Sequence, residues 1–118
     1  MIQFSYRGFH GCTCVCGLEL QKLADGRTLV ICTELPENTG TSVTNFAENL
    51  ATLVCRKFGI RHDQLLWIEH YFSGRALGPE PQWDWVEFDW DGESFQNPRW
   101  RPMDALDWRQ LGLVAPAR

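Results

Sequence analysis

Residues 33–58 read TELPENTGTSVTNFAENLATLVCRKF, and the fold turns on how this stretch is read. It carries the end of a strand, a turn over residues 36–40, and then an amphipathic helix. Val43, Phe46, Ala47, Leu50, Leu53, Val54 and Phe58 recur at the three-and-four spacing of a helix that buries one stripe. Thr41 or Ser42 is placed to cap its first turn, and Asn45 with Glu48 offers a later capping pair. Gly59 stops it, with Arg56 and Lys57 in the last turn, where cations suit the negative end of the helix dipole.

Upstream, Asp25-Gly26 between the apolar runs 12–23 and 28–35 signals a hairpin with a two-residue turn. If those two residues form the loop, Ala24 faces Arg27 and paired residue numbers sum to 51. That register puts Cys12, Cys14, Cys16, Leu18 and Leu20 on one face with Leu29, Ile31, Thr33 and Leu35, the more apolar face and so the one to receive the helix. Val15, Glu19 and Gln21 share the other face with Val30, Cys32 and Glu34. Ile2, Phe4 and Tyr6 alternate with polar residues as a first strand, ended by Gly8.

Downstream, residues 65–72 are rich in strand formers. Because a helix precedes them, they should run parallel to residues 28–35 in a β-α-β crossover. Residues 73–82 form a loop, and residues 83–90 alternate again as an antiparallel neighbour. Residues 93–102 contain Pro98 and Pro102 and show no period, which reads as surface loop. Pro102 then opens a short helix that Gly112 ends, before a tail at 114–118. The expectation is one α+β domain over residues 1–118: a four- or five-stranded mixed sheet, one main helix packed on one face and a short C-terminal helix.

The 118 residues, 44% of them hydrophobic and six of them Trp, suffice for a core without metals or disulfides. No apolar run approaches the roughly 20 residues that span a bilayer, and no leader pattern opens the chain, so the expected address is the cytoplasm with no membrane contact. The net charge of -4 is uneven. Residues 1–79 hold seven acids and seven bases, whereas residues 80–107 hold eight acids against Arg99 and Arg101, a balance of -6. This argues against direct binding of a nucleic-acid backbone, which wants clustered cations, and favours a basic protein or metal ions.

Cys12, Cys14 and Cys16 alternate along a strand, so successive Cα atoms lie roughly 6.5 Å apart on one face, a poor geometry for a disulfide. Zinc knuckles use Cys-x-x-Cys turns instead. The thiols read as small core residues, with copper(I) or another metal, or redox use, as the alternatives, and no metal or cofactor is assigned. The Cys-x5-Arg spacing of Cys55 and Arg61 resembles that of a phosphatase loop but falls at a helix C-terminus, where no amides cradle a phosphate. The turn before the helix, with Asn38, Thr41 and Ser42, caps it and offers amides to an anion, without the Lys of a nucleotide-binding loop.

Parity groups Trp67, Glu69 and Tyr71 on one face of their strand and Leu66, Ile68 and His70 on the other; His70 reads as a core residue. Glu34, Trp67, Glu69, Tyr71, Trp85, Glu87 and Asp89 are expected together on the face remote from the helix. Candidate binding residues are therefore Glu34, Asn38, Thr41, Ser42, Trp67, Glu69, Tyr71, Trp85 and Glu87. Such a face docks a basic protein, including a nucleic-acid-binding one in the manner of an inhibitor. Alternatively Glu34, Glu69 and Glu87, near His62 or His70, hold a cation for metal-assisted hydrolysis. The structural reading is that Trp100, Met103, Leu106 and Trp108 fold over this face as a second small core. The leading expectation is a small soluble interaction domain that binds a protein partner through residues 82–107; an exposed edge strand leaves a homodimer open.

Overall fold

The computed structural model describes residues 2–7, 13–34, 47–71 and 82–113. One sheet holds six strands in chain order: β1 (Ile2–Arg7), β2 (Thr13–Lys22), β3 (Thr28–Glu34), β4 (Leu65–Tyr71), β5 (Gln82–Trp90) and β6 (Phe95–Pro102). The helices are α1 (Ala47–Phe58) and α2 (Ala105–Gln110). Neighbours are antiparallel except β3 and β4, which run parallel because α1 carries the chain from one to the other. No helix among the described residues is long and apolar enough to cross a membrane.

The α+β kind and the two helices match expectation, but the sheet has six strands rather than four or five. The extra strand is β6, whose prolines mark it as loop. Among the described strands it lies at the edge, paired with β5, and an edge tolerates residues that have no N–H to donate. A bulge between Glu87 and Asp89 and a left-handed Asn97, at φ 53°, break its alternation, so no period survives in the sequence. Pro102 closes β6 instead of opening a helix. Asp104 caps α2: its carboxylate accepts the Asp107 N–H at 2.8 Å, and the Asp107 carboxylate accepts the Asp104 N–H at 3.0 Å.

The β2–β3 turn is one residue longer than expected. Gly26 donates its N–H to the Leu23 carbonyl (3.0 Å), and Leu23 donates to the Arg27 carbonyl (2.8 Å), enclosing Ala24, Asp25 and Gly26. A two-residue turn of the expected type needs positive φ at both central residues, but here only Gly26 has it, at 94°. Asp25 instead stays in ordinary backbone space and binds Arg27 through its N–H (3.0 Å) and Nε (2.6 Å). Leu18 therefore opposes Cys32 and Leu20 opposes Val30. A slip of one residue turns every β3 side chain to the other face.

Two cores follow from that register. Under α1 lie Cys16, Leu18, Val30, Cys32, Trp67, Val86 and Phe95, packed against Ala47, Leu50, Ala51 and Val54. On the opposite face Leu29, Leu66 and Ile68 meet Trp108 and Leu111, with Trp83, Trp85 and Met103 partly buried around them. The C-terminal segment thus forms the second small core, although Leu106 remains exposed and Trp100 joins the α1 side.

The α1 helix ends as expected at Gly59 (φ 66°), with the Ile60 N–H on the Cys55 carbonyl at 2.9 Å. The Thr52 hydroxyl donates to the Glu48 carbonyl (2.7 Å) and accepts the N–H of Phe95 (3.0 Å), tying α1 to the start of β6. The expected helix start at Thr41 or Ser42 lies outside the described residues.

Candidate functional site

Along β4, Trp67 and Glu69 point to the α1 side while Leu66, Ile68 and His70 point to the α2 side. The alternation is the expected one and the face is the reverse, because Trp67 sits beside Val30, which the longer turn has moved under α1. Glu69 has no exposed surface. Its Oε1 accepts the indole N–H of Trp67 at 3.1 Å and its Oε2 accepts that of Trp100 at 3.0 Å. Trp100 is 40% exposed, so an edge-strand side chain reaches from the surface to a core carboxylate. Asp84, directly opposite Glu69 on β5, is buried as well.

Trp85 pairs with Ile68 and therefore faces α2; Glu87, two residues on, is exposed on that same face. Glu69 and Glu87 stand on opposite sides of the sheet and do not converge on a shared cation, and the single acidic aromatic face is replaced by two. Among the described residues no three His, Cys, Asp or Glu side chains gather as a metal-holding group. Asn38, Thr41 and Ser42, and the side chains of Glu34 and Tyr71, lie outside the described residues.

A break in the sheet nevertheless brings three candidates to one place. Pairing between β4 and β5 runs from Tyr71–Gln82 to Trp67–Val86 and stops there, next to the β5 bulge. Beyond it an open groove of about 310 Å³ is lined by Trp67, Trp85 and Glu87 together with Leu65, Leu66, Val86, Phe88, Phe95, His62 and Arg99. The walls are mainly apolar, and the polar groups are Glu87, His62 and Arg99. The His62 ring lies flat on Trp90, with centroids 4.3 Å apart and planes 3° from parallel, and Trp90 stands edge-on to Phe95 at 4.9 Å.

The acids of this region have local partners. Asp89 accepts from Asn97 (3.1 Å) and pairs with Arg99 (3.2 Å), and these contacts hold its carboxyl below the usual range. Asp91 accepts the N–H groups of Glu93 and Ser94, both at 2.8 Å, and so closes the β5–β6 turn with its carboxyl also held low. Arg101 pairs with Asp107 at 2.6 Å, depressing the Asp107 carboxyl, and its guanidinium lies 5.2 Å from the centre of the Trp85 ring. Residues 82–113 still hold seven acids against three arginines, a balance of -4.

Cys16, Cys32 and Cys55 are buried. Burial pushes the Cys55 thiol up to about 11, which leaves almost no thiolate to act as a nucleophile near neutral pH. Cys16 and Cys32 share the α1 core rather than lying on opposite faces. The sequence offered His62 only as a neighbour of a carboxylate cation site, and Trp90, Arg99 and the Glu69–Trp100 bond were missed as elements of a site. The proline reading hid β6, and no local signal marks a gap between two strands. Comparison with protein-family models, curated proteins and solved structures finds no match to this chain.

Proposed function

We propose that the protein is an interaction domain that holds a basic segment of a protein partner in the groove between β4 and β5. The observation that carries this reading is the joining, in one groove, of an apolar slot with the exposed carboxylate of Glu87. A Lys or Arg side chain has an apolar stem and a charged head. The stem fits along Leu65, Leu66 and Trp85, and the head meets Glu87. Arg99 also lines the groove, but Asp89 and the Asn97 carbonyl already engage its guanidinium. The negative balance of residues 82–113 attracts a cationic segment at longer range. Three of the four exposed large apolar side chains among the described residues, Trp90, Trp100 and Leu106, belong to this stretch, in keeping with a contact surface.

The test uses a short peptide of alternating Lys and Leu, titrated into isotope-labelled protein and followed by amide NMR shifts. Shifts are expected at residues 62–67 and 85–90. Glu87→Lys and Trp85→Ala should each weaken binding by about tenfold, the equivalent of one contact of ~1.4 kcal/mol. Glu19→Lys, on distant β2, should leave binding unchanged. Shifts centred elsewhere, or affinity indifferent to Glu87→Lys, would refute the assignment.

A further inference from the structure

We propose that the chain pairs with a second copy of itself along β1, extending the sheet across a two-fold axis; this rests on the edges of the sheet and is independent of the groove. The two edges are unlike. On β6, Pro98 and Pro102 cannot donate hydrogen bonds, Asn97 leaves extended geometry at φ 53°, and Arg99 and Arg101 are exposed. These are the devices that keep an edge strand from recruiting another. Over residues 2–6 β1 has none of them. Its sequence IQFSYR contains no proline or glycine and one charge, Arg7, at its last position. It pairs residue for residue with β2, and no described strand lies on its other side.

What selects a second copy is that β1 is complementary to itself. Ile2, Phe4 and Tyr6 take the α1 face, where Tyr6 is buried and Phe4 packs against Phe58 at 6.4 Å. Gln3 and Ser5 are exposed on the other face. Directly opposed residues of an antiparallel pair share a face. With the axis at Phe4, the two copies of Phe4 meet, Ile2 meets Tyr6 of the second copy, and Gln3 meets Ser5 of the second copy. Apolar residues then oppose apolar ones and polar oppose polar. Arg7 falls beyond the paired stretch, so no like charges are opposed. Ile2, 42% exposed in one copy, is the one exposed large apolar side chain described outside the C-terminal stretch, and this register covers it. An axis at Ser5 would leave Ile2 uncovered and set Gln3 against Arg7.

Sedimentation velocity of the wild-type chain across a concentration series is expected to show a monomer–dimer equilibrium, with β1 amides protected from hydrogen exchange in the dimer. Charge then reads the register. Gln3→Glu combined with Ser5→Glu places two like-charge pairs across the axis, on side chains exposed in each copy, so the fold survives and the dissociation constant rises about tenfold or more. Gln3→Glu combined with Ser5→Lys makes both pairs opposite in sign and restores the dimer. A wild type that stays monomeric at high micromolar concentration overturns the proposal, as does a dimer indifferent to both double variants. A dimer weakened equally by both refutes this register.

Discussion

Replacing Trp100 with Phe removes one indole N–H from the Glu69 carboxylate while leaving an aromatic ring in place. The bond is 3.0 Å long and its acceptor belongs to a side chain with no exposed surface, so water cannot readily replace the donor. Removing a donor from a buried acceptor costs about 1–3 kcal/mol. The apolar loss is small because Trp100 is already 40% exposed. The expected destabilisation is about 2 kcal/mol, which for a chain of this length lowers the midpoint of thermal unfolding by roughly 8 °C. Trp67→Phe should cost more, about 3–4 kcal/mol, since Glu69 loses the Trp67 donor and a fully buried ring shrinks. Trp90→Phe is the control: its indole N–H makes no hydrogen bond among the described residues, and the change should stay below about 1 kcal/mol. Urea unfolding followed by far-ultraviolet circular dichroism measures all three without relying on tryptophan fluorescence, which each substitution alters. A Trp100→Phe variant as stable as wild type, or no less stable than Trp90→Phe, refutes the view that the edge strand is anchored to Glu69.

Thr52→Val keeps the side-chain shape but strips the acceptor from the buried Phe95 N–H; the expected loss is about 1–3 kcal/mol with faster hydrogen exchange at Phe95. Gly26→Ala meets no atom nearer than 3.9 Å, so its cost is backbone strain at φ 94°, about 1–2 kcal/mol by denaturant unfolding. Asp25→Gly should also destabilise, because Asp25 holds Arg27 and does not take positive φ; in a two-residue turn the same change would stabilise the hairpin. His70, half-buried and stacked on Trp83 at 3.9 Å, has its pKa lowered chiefly by burial, against an opposing pull from Glu19. The unfolded chain then binds more protons than the folded one as pH drops through the ordinary histidine value near 6.5, so stability should fall between pH 7 and 5. His70→Gln should flatten that slope, and an unchanged slope would assign the acid sensitivity to other groups.

Strands β1 to β5 and the C-terminal end of α1 were legible because each is written in a local signal. Alternation over Ile2, Phe4 and Tyr6, the three-and-four spacing of α1, and the stop at Gly59 depend on neighbours a few residues away. Parity along β4 was legible for the same reason: successive side chains must point to opposite faces. Which face was which could not be read, because that depended on whether the Asp25-Gly26 turn held two residues or three. One residue decided it, and with it whether Cys32, Trp67 and Glu69 lay under α1. The extent of the sheet was also a tertiary matter, since prolines exclude a central strand but not an edge, and only the packing of α1 and β5 around β6 made that stretch an edge. The groove lay furthest from the sequence. It arises where two strands stop pairing beside a bulge, and a missing contact between residues some twenty positions apart has no local pattern to announce it. The sequence by itself determined the periods and the breaks. The tertiary structure decided faces, edges and gaps, because each is a relation between segments that only packing brings together.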